Sequence, residues 1–180
     1  MVQCTWEEWK TLHPATRIPD GAGESRQGHG SHCPNPAHDF IPPFAEITSL
    51  HPDHRLPAGE LVLGVEAGPK NRAYPLATLH ALGTVLNDAI GLRQIVILTK
   101  RGSWLSIAFD RLLDGKILEF EAMGGQLLFE DLQTRSRWDF TGRCIEGPLA
   151  GRTLGYVPSG LEKWFAWATA HPGCEIFAPL

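Results

Sequence analysis

From residue 60 onward, apolar positions fall in short runs broken by frequent glycines, a pattern that belongs to strands rather than helices. The runs ELVLGVEAG (60–68), NRAYPL (71–76), TVLND (84–88), RQIVILT (93–99), SWLSIAF (103–109), KILEFEA (116–122) and GQLLFED (125–131) predict strands, with weaker ones near 142–157. In KILEFEA the alternation sends Leu118 and Phe120 to one face and Glu119 and Glu121 to the other. Asp114 and Gly115 supply the positive dihedrals of a tight hairpin, and Gly124 and Gly125 are placed to turn the next one.

Helical spacing appears only near the two ends. Thr5 and Glu8 in TWEE fit a capping box, Trp6, Trp9 and His13 follow on one face, and Pro14 predicts a stop near His13. The same W-x-x-W-x-x-x-H-P pattern returns in WFAWATAHPGCEIF (164–177), which mirrors WEEWKTLHPATRIP (6–19) at an offset of 158 residues. Both copies read as a helix leading into a strand. Ser159 and Glu162 offer the second helix a capping box one turn earlier, so it is expected to be the longer of the two. A single matched pair is a duplicated edge element, or one unit cut from a head-to-tail array, rather than a solenoid. His13 and His171 sit where the helix dipole favours histidine without any metal. The expected fold is α+β and β-rich, an antiparallel barrel or sandwich-like sheet with short flanking helices near both termini. One domain spans residues 1–180: the element at 5–18, a loop at 19–60 and the β-rich core at 61–177.

The stretch from Pro19 to Glu60 has no sustained period and holds seven of the 14 prolines and five of the eight histidines. Loops this long are functional or disordered, and the anchors in FIPPF (40–44) favour an ordered excursion over the surface. Within it, GHGSHCPNPAH (28–38) brings together His29, His32, Cys33 and His38, ligand types that suit zinc, iron or copper. Adjacent side chains such as His32 and Cys33 rarely reach one ion together, so the expected shell is His29, His32 and His38, or two of these with Cys33. A three-ligand site would leave a position open to water or substrate. The same residues also read as a solvated polar loop. His51, Asp53 and His54 in HPDH are further ligands, a supporting shell, or a turn before the first strand. Glu121 is a candidate carboxylate for a two-histidine, one-carboxylate site, or part of a solvated strand face. Arg72, Tyr74, Asn87 and Asp88 stand at segment ends, where they line a pocket or fix turns, Asp88 pairing with Arg72. Asp88 and Glu121 are the acid/base candidates. Asp131, Arg137 and Trp138 in DLQTRSRW are expected to be structural.

Composition narrows the function classes. A formal charge of −4 from 16 basic and 20 acidic residues, without blocks of either sign, argues against nucleic acid. No apolar run approaches a membrane span, and MVQCTWEEWK lacks the features of a signal peptide, so a soluble, cytoplasmic chain is expected. The four cysteines contain no C-x-x-C and are expected to be reduced thiols. No nucleophile elbow, Walker loop, H-E-x-x-H or dinucleotide fingerprint occurs.

Six segments, VLGVEAGPKNRAYPLATL, LNDAIG, AFDRLLDGKILEF, DLQTRSRW, GPLAGRTL and WFAWATAHP, in this order over about residues 60–172, resemble the bacterial domain-of-unknown-function family 3179. The resemblance implies a β-rich domain common in exported or envelope-associated bacterial proteins, with no assigned activity to carry over. The helix-strand copy at 5–18 looks like an element that often follows the module in longer members. Two departures stand out: the family's C-P-L-C motif is replaced by KRGS (100–103), and the histidine expected before Asn87 and Asp88 is replaced by Gly83, with His80 out of register. The functional expectation is a domain that binds a divalent transition metal through the histidine-rich loop and acts on a small-molecule substrate. The alternative is a non-catalytic interaction or scaffold module whose family site has been lost. Either is compatible with a homo-oligomer.

Overall fold

Within RQIVILT, which becomes strand β4 (Arg93–Thr99), the run IVIL is unbroken by polar residues because both faces of the strand are buried there. The computed structural model describes residues 3–17, 53–124 and 127–179. In it β4 lies in a central sheet ordered β12 (Gly155–Tyr156), β5 (Ser106–Asp110), β4, β3 (Val85–Ile90). A second sheet runs β13 (Ser159–Lys163), β1 (Leu61–Ala67), β2 (Lys70–Pro75), β14 (Glu175–Ile176), antiparallel except for the β2–β14 pair. A third is β11 (Cys144–Glu146), β10 (Arg137–Asp139), β9 (Leu128–Asp131), β8 (Phe120–Ala122). The hairpin β6 (Leu112–Leu113) to β7 (Lys116–Ile117) turns on Asp114 and Gly115, both at positive φ, as the sequence predicts.

The period of two along β4 sorts its side chains between two cores. Ile95 and Ile97, with Ala108 of β5, pack with Leu63, Val65 and Tyr74 of the second sheet. Val96 and Leu98, with Ile107 and Phe109, pack with Phe120, Phe129 and Trp138 of the third. A third core lies on the outer face of the second sheet, where Val62 and Ala73 meet Trp164, Trp167 and Ala168 of helix α3 (Trp164–Ala170). The layers are therefore α3, second sheet, central sheet and third sheet. The described sheets are open, so the sandwich-like expectation holds and the barrel does not.

Three short helices punctuate the strands. Helix α1 (Trp6–Leu12) begins with the expected capping box and ends at His13. Helix α2 (Leu76–Leu82) carries no anticipated signal: its N-cap is Pro75, without a side-chain cap, and it forms because Leu76 and Leu79 are buried. The capping box expected from Ser159 and Glu162 is corrected by the structure. Those residues are strand β13, paired with Leu61–Val65 of β1, and α3 starts at Trp164 without a side-chain cap. Cross-strand pairing satisfies the backbone that an extra helical turn would have used, and Ser159 Oγ accepts from the Ala108 amide instead.

Gly64 shows how tightly α3 sits on its sheet: a Cβ there would lie 2.2 Å from Trp167 Cε3. Gly64→Ala is expected to destabilise the fold by about 1–3 kcal/mol through overpacking, while Gly124→Ala, which meets nothing within 4 Å, leaves the urea midpoint nearly unchanged. Equal midpoints for the two variants would show that the indole does not lie on this backbone.

Candidate functional site

Adjacent strand residues point to opposite faces, and Asn87 and Asp88 on β3 use this to tie the central sheet to both of its neighbours. Asn87 pairs with the backbone of β8 in both directions, Nδ2 donating to Phe120 O at 2.8 Å and Oδ1 accepting from Phe120 N at 3.0 Å. Asp88 Oδ2 accepts from Arg72 Nη1 and from Tyr74 Oη, each at 2.7 Å, while Oδ1 accepts from the Ala89 amide. Arg72 also donates to Glu175 Oε2 from Nε at 2.9 Å and Nη2 at 2.5 Å. Burial works against the Arg72 charge, yet Glu175 and Asp88 hold it protonated above the ordinary arginine range. Burial, reinforced by Asp88, raises Tyr74 so that it stays a neutral donor. Arg72 draws the Glu175 carboxyl below its usual range. Arg72, Asn87, Asp88 and Glu175 border a cleft of about 700 Å³, and Phe177 in its wall stacks at 5.1 Å on the buried Tyr74. The expected Arg72–Asp88 pair is present. Glu175, which also pairs with Arg72, gives no signal in the sequence because it is 103 residues from that partner.

The repeated helix elements share their local geometry. His13 and His171 both cap their helices, at φ −131°, ψ 68° and φ −127°, ψ 69°, with the cap amide donating to Trp9 O and Trp167 O respectively. Each histidine packs against the preceding indole with the ring planes tilted, by 42° and 36°, at 4.3 Å and 3.8 Å between centroids. Their burial is opposite. Trp164 and Trp167 are 0% and 3% exposed, whereas Trp6 and Trp9 are 48% and 37% exposed. Trp104, in the connection between β4 and β5, is 61% exposed and joins them with Gln3, Cys4 and Thr5 around a groove of about 550 Å³. Helix α1 is too short to be stable alone and is held by its contacts. Gln3 Nε2 donates to Leu161 O, and the buried Glu8 accepts from Lys100 Nζ at 2.7 Å and from the Thr5 amide at 2.8 Å. Burial acts to raise the Glu8 carboxyl, but these donors and Ser103 outweigh it and hold the pKa at about 2.

The remaining candidates are dispersed. His29, His32, Cys33 and His38 lie outside the described residues, as does His51. Asp53 pairs with Arg55 at 2.7 Å, and Arg55 in turn donates to Cys174 O and lies over the Trp164 ring. Asp53, His54 and Arg55 line a cleft of about 730 Å³ against α3. Glu121 is exposed and paired with Arg135 at 3.1 Å. It borders a cleft of about 590 Å³ with Gly83 and Arg101, so the two stretches that depart from the family resemblance are neighbours in space. His80 Nε2 donates to Ser103 O beside them. Asp131 is buried and accepts from Trp138 Nε1 and from Thr134, fixing the β9–β10 turn. Cys4, Cys144 and Cys174 are free, and burial raises each thiol above its ordinary range, so none is an activated thiolate. Among the described residues, no group of three or more His, Cys, Asp or Glu is placed to hold a metal ion, and no helix is long and apolar enough to cross a membrane.

Two outcomes follow from this geometry. Asp88→Ala leaves Arg72 and Tyr74 without their shared acceptor and is expected to cost about 2–4 kcal/mol in urea unfolding. A variant as stable as its parent would free Asp88 from this structural role. The depressed Glu8 carboxyl contributes stability that is present above its unfolded pKa, near the ordinary carboxylate range, and lost as pH falls toward about 2. Glu8→Gln should therefore be less stable than the parent at pH 7 by about 2 kcal/mol, and the two melting curves should converge near pH 2.

Comparison with known proteins gives no matching curated protein and no matching solved structure. The model of one family, described as "Protein of unknown function (DUF3179)", matches residues 1–174, a wider span than residues 60–172 and one that takes in α1. With nearly the whole chain covered, from the capping box of α1 to Cys174 behind α3, the protein belongs to the DUF3179 family.

Proposed function

We propose that this protein is a docking module that engages a partner through the tryptophan groove beside α1. The observation that carries this reading is the exposure of three indoles on one anchored surface, Trp6 and Trp9 from α1 and Trp104 from the β4–β5 connection. Tryptophan offers a large, rigid, amphipathic contact area at low entropic cost and is enriched among the residues that dominate binding energy. Contiguous exposed apolar surface of this kind marks interaction sites in soluble proteins. The polar clusters elsewhere support the reading, because Arg72, Tyr74, Asp88 and Glu175 spend their hydrogen bonds on one another. Hydroxyl-radical footprinting in intact source cells and on dilute purified protein tests it. Trp6, Trp9 and Trp104 are expected to be protected in cells, with Tyr156, exposed elsewhere on the surface, as the internal control. Equal oxidation of the three indoles in both settings would remove the docking reading.

A second reading is favoured by the density of ligand types in GHGSHCPNPAH. In it His29, His32 and His38, with Cys33 as ligand or neighbour, bind zinc, iron or copper, and Glu121 or Asp88 serves as acid or base toward a small-molecule substrate. Plasma mass spectrometry of the untagged protein is then expected to find near-stoichiometric metal, lost when the three histidines are changed to alanine. A parent that takes up none of the three ions, ferrous iron offered anaerobically, would eliminate it.

A further inference from the structure

We propose that the cleft between strands β3 and β8 is a docking site for an extended peptide, which hydrogen-bonds through its main chain to the open strand edges at Val85 and Ala122 and places a carboxylate side chain on Arg101. This site shares no lining residue with the tryptophan groove and is independent of it.

The ladder registers fix which backbone groups face the cleft. β3 is the last strand of the central sheet and β8 the last of the third, so each has one edge without a neighbouring strand. In an antiparallel pair, directly opposite residues alternate between those that exchange hydrogen bonds and those whose amide and carbonyl point away from the partner. Thr99 N donates to Thr84 O and Val85 stands opposite Leu98, so the groups of Val85, Asn87 and Ala89 point away from β4. Met123 N donates to Leu128 O and Leu132 N to Glu119 O, so those of Phe120 and Ala122 point away from β9.

Side chains cover part of these edges and stop at the cleft. Asn87 binds both main-chain groups of Phe120, as a neighbouring strand would. Ala89 is covered in the same way, its amide donating to Asp88 Oδ1 and its carbonyl accepting from Arg72 Nη1. Val85 and Ala122, which line the cleft of about 590 Å³, have no such cover among the described residues. β3 pairs with β4 in regular register and contains no lysine or proline, the common guards against edge pairing. Gly83, where a Cβ would meet nothing within 4 Å, and Ala122 leave room for another backbone. Main-chain pairing with an exposed edge is a recurrent mode of peptide recognition.

Charge selects the side chain that the peptide carries. Of the charged residues lining the cleft, Glu121 is committed to Arg135 at 3.1 Å, whereas the exposed Arg101 has no carboxylate partner among the described residues. A guanidinium pairs bidentately with a carboxylate, so an acidic side chain complements it and a basic one meets an unpaired like charge.

Amide hydrogen exchange of the full chain, read by NMR, tests the proposal with a panel of acetylated heptapeptides of alternating threonine and valine, each carrying one aspartate at a different position. The amides of Val85 and Ala122 are expected to exchange freely in the peptide-free chain and to slow about tenfold on saturation with the best member. Arg101→Ala, or asparagine in place of the aspartate, should weaken binding about tenfold, as loss of one charge-assisted hydrogen bond does. Methylating alternate peptide amides should abolish it. Ala122→Pro removes a donor that faces away from β9, so this variant is expected to keep the parent's thermal midpoint and lose the peptide. If it does not fold, the methylated peptides and Arg101→Ala carry the test. A panel with no binding member, binding indifferent to methylation or to Ala122→Pro, or amides already protected in the free chain overturns the proposal. Protection that instead rises with protein concentration gives the edge to a second copy and overturns the peptide. Unchanged affinity in Arg101→Ala overturns the acidic side chain.

Discussion

Everything in this structure depends on a central sheet that is apolar on both faces. Strand β4 sends Ile95 and Ile97 one way and Val96 and Leu98 the other, so neither face can be left to water. A further sheet must cover each side, and the outer face of one of these covers must then be closed by α3. Hydrophobic burial is not directional, and something else has to fix the register of the layers. Asn87 and Asp88 do so from consecutive positions, Asn87 by pairing with the β8 backbone and Asp88 by gathering Arg72 and Tyr74. Polar side chains at such places are as much part of the fold as the core.

The duplicated helix element separates local from tertiary determination within one molecule. The same spacing of tryptophan, histidine and proline produces nearly the same cap dihedrals and the same tilted indole–imidazole contact at both sites. Gly64 then decides the fate of one copy, because a bare backbone lets Trp167 lie flat on the second sheet. The other copy is held by a charged residue pointing inward, Glu8 against Lys100, and its indoles face out. The helix is written locally, and which of its faces is buried depends on what the distant chain offers.

Much of the architecture is legible in the sequence because it rests on short-range periodicity. The strands, the Asp114–Gly115 hairpin, the α1 capping box and the alternation of Leu118 and Phe120 against Glu119 and Glu121 all follow from neighbours within a few residues. Helix α2 was illegible because seven residues without a capping side chain carry too little local signal and depend on the burial of Leu76 and Leu79. The box at Ser159 and Glu162 misled for the converse reason: a valid local signal yielded to five cross-strand pairs with β1. Of the candidate site, the Arg72–Asp88 pair was readable from adjacent polar segment ends. The tryptophan groove was not: helical spacing reads all four indoles of the repeated helices as core-facing, which Trp164 and Trp167 are and the exposed Trp6 and Trp9 are not.

The sequence by itself determined the β-rich class, the α1 capping box and the Asp114–Gly115 turn, because these are set by dihedral preference and spacing along the chain. Only the tertiary structure decided that the sheets stay open, that Glu175 completes the Arg72 cluster, that Glu121 stands beside Gly83 and Arg101, and that Trp104 joins Trp6 and Trp9 on one surface. Each of those is a meeting of residues far apart in the chain. Such meetings are selected by the burial of both faces of the central sheet, a condition that no single stretch of sequence contains.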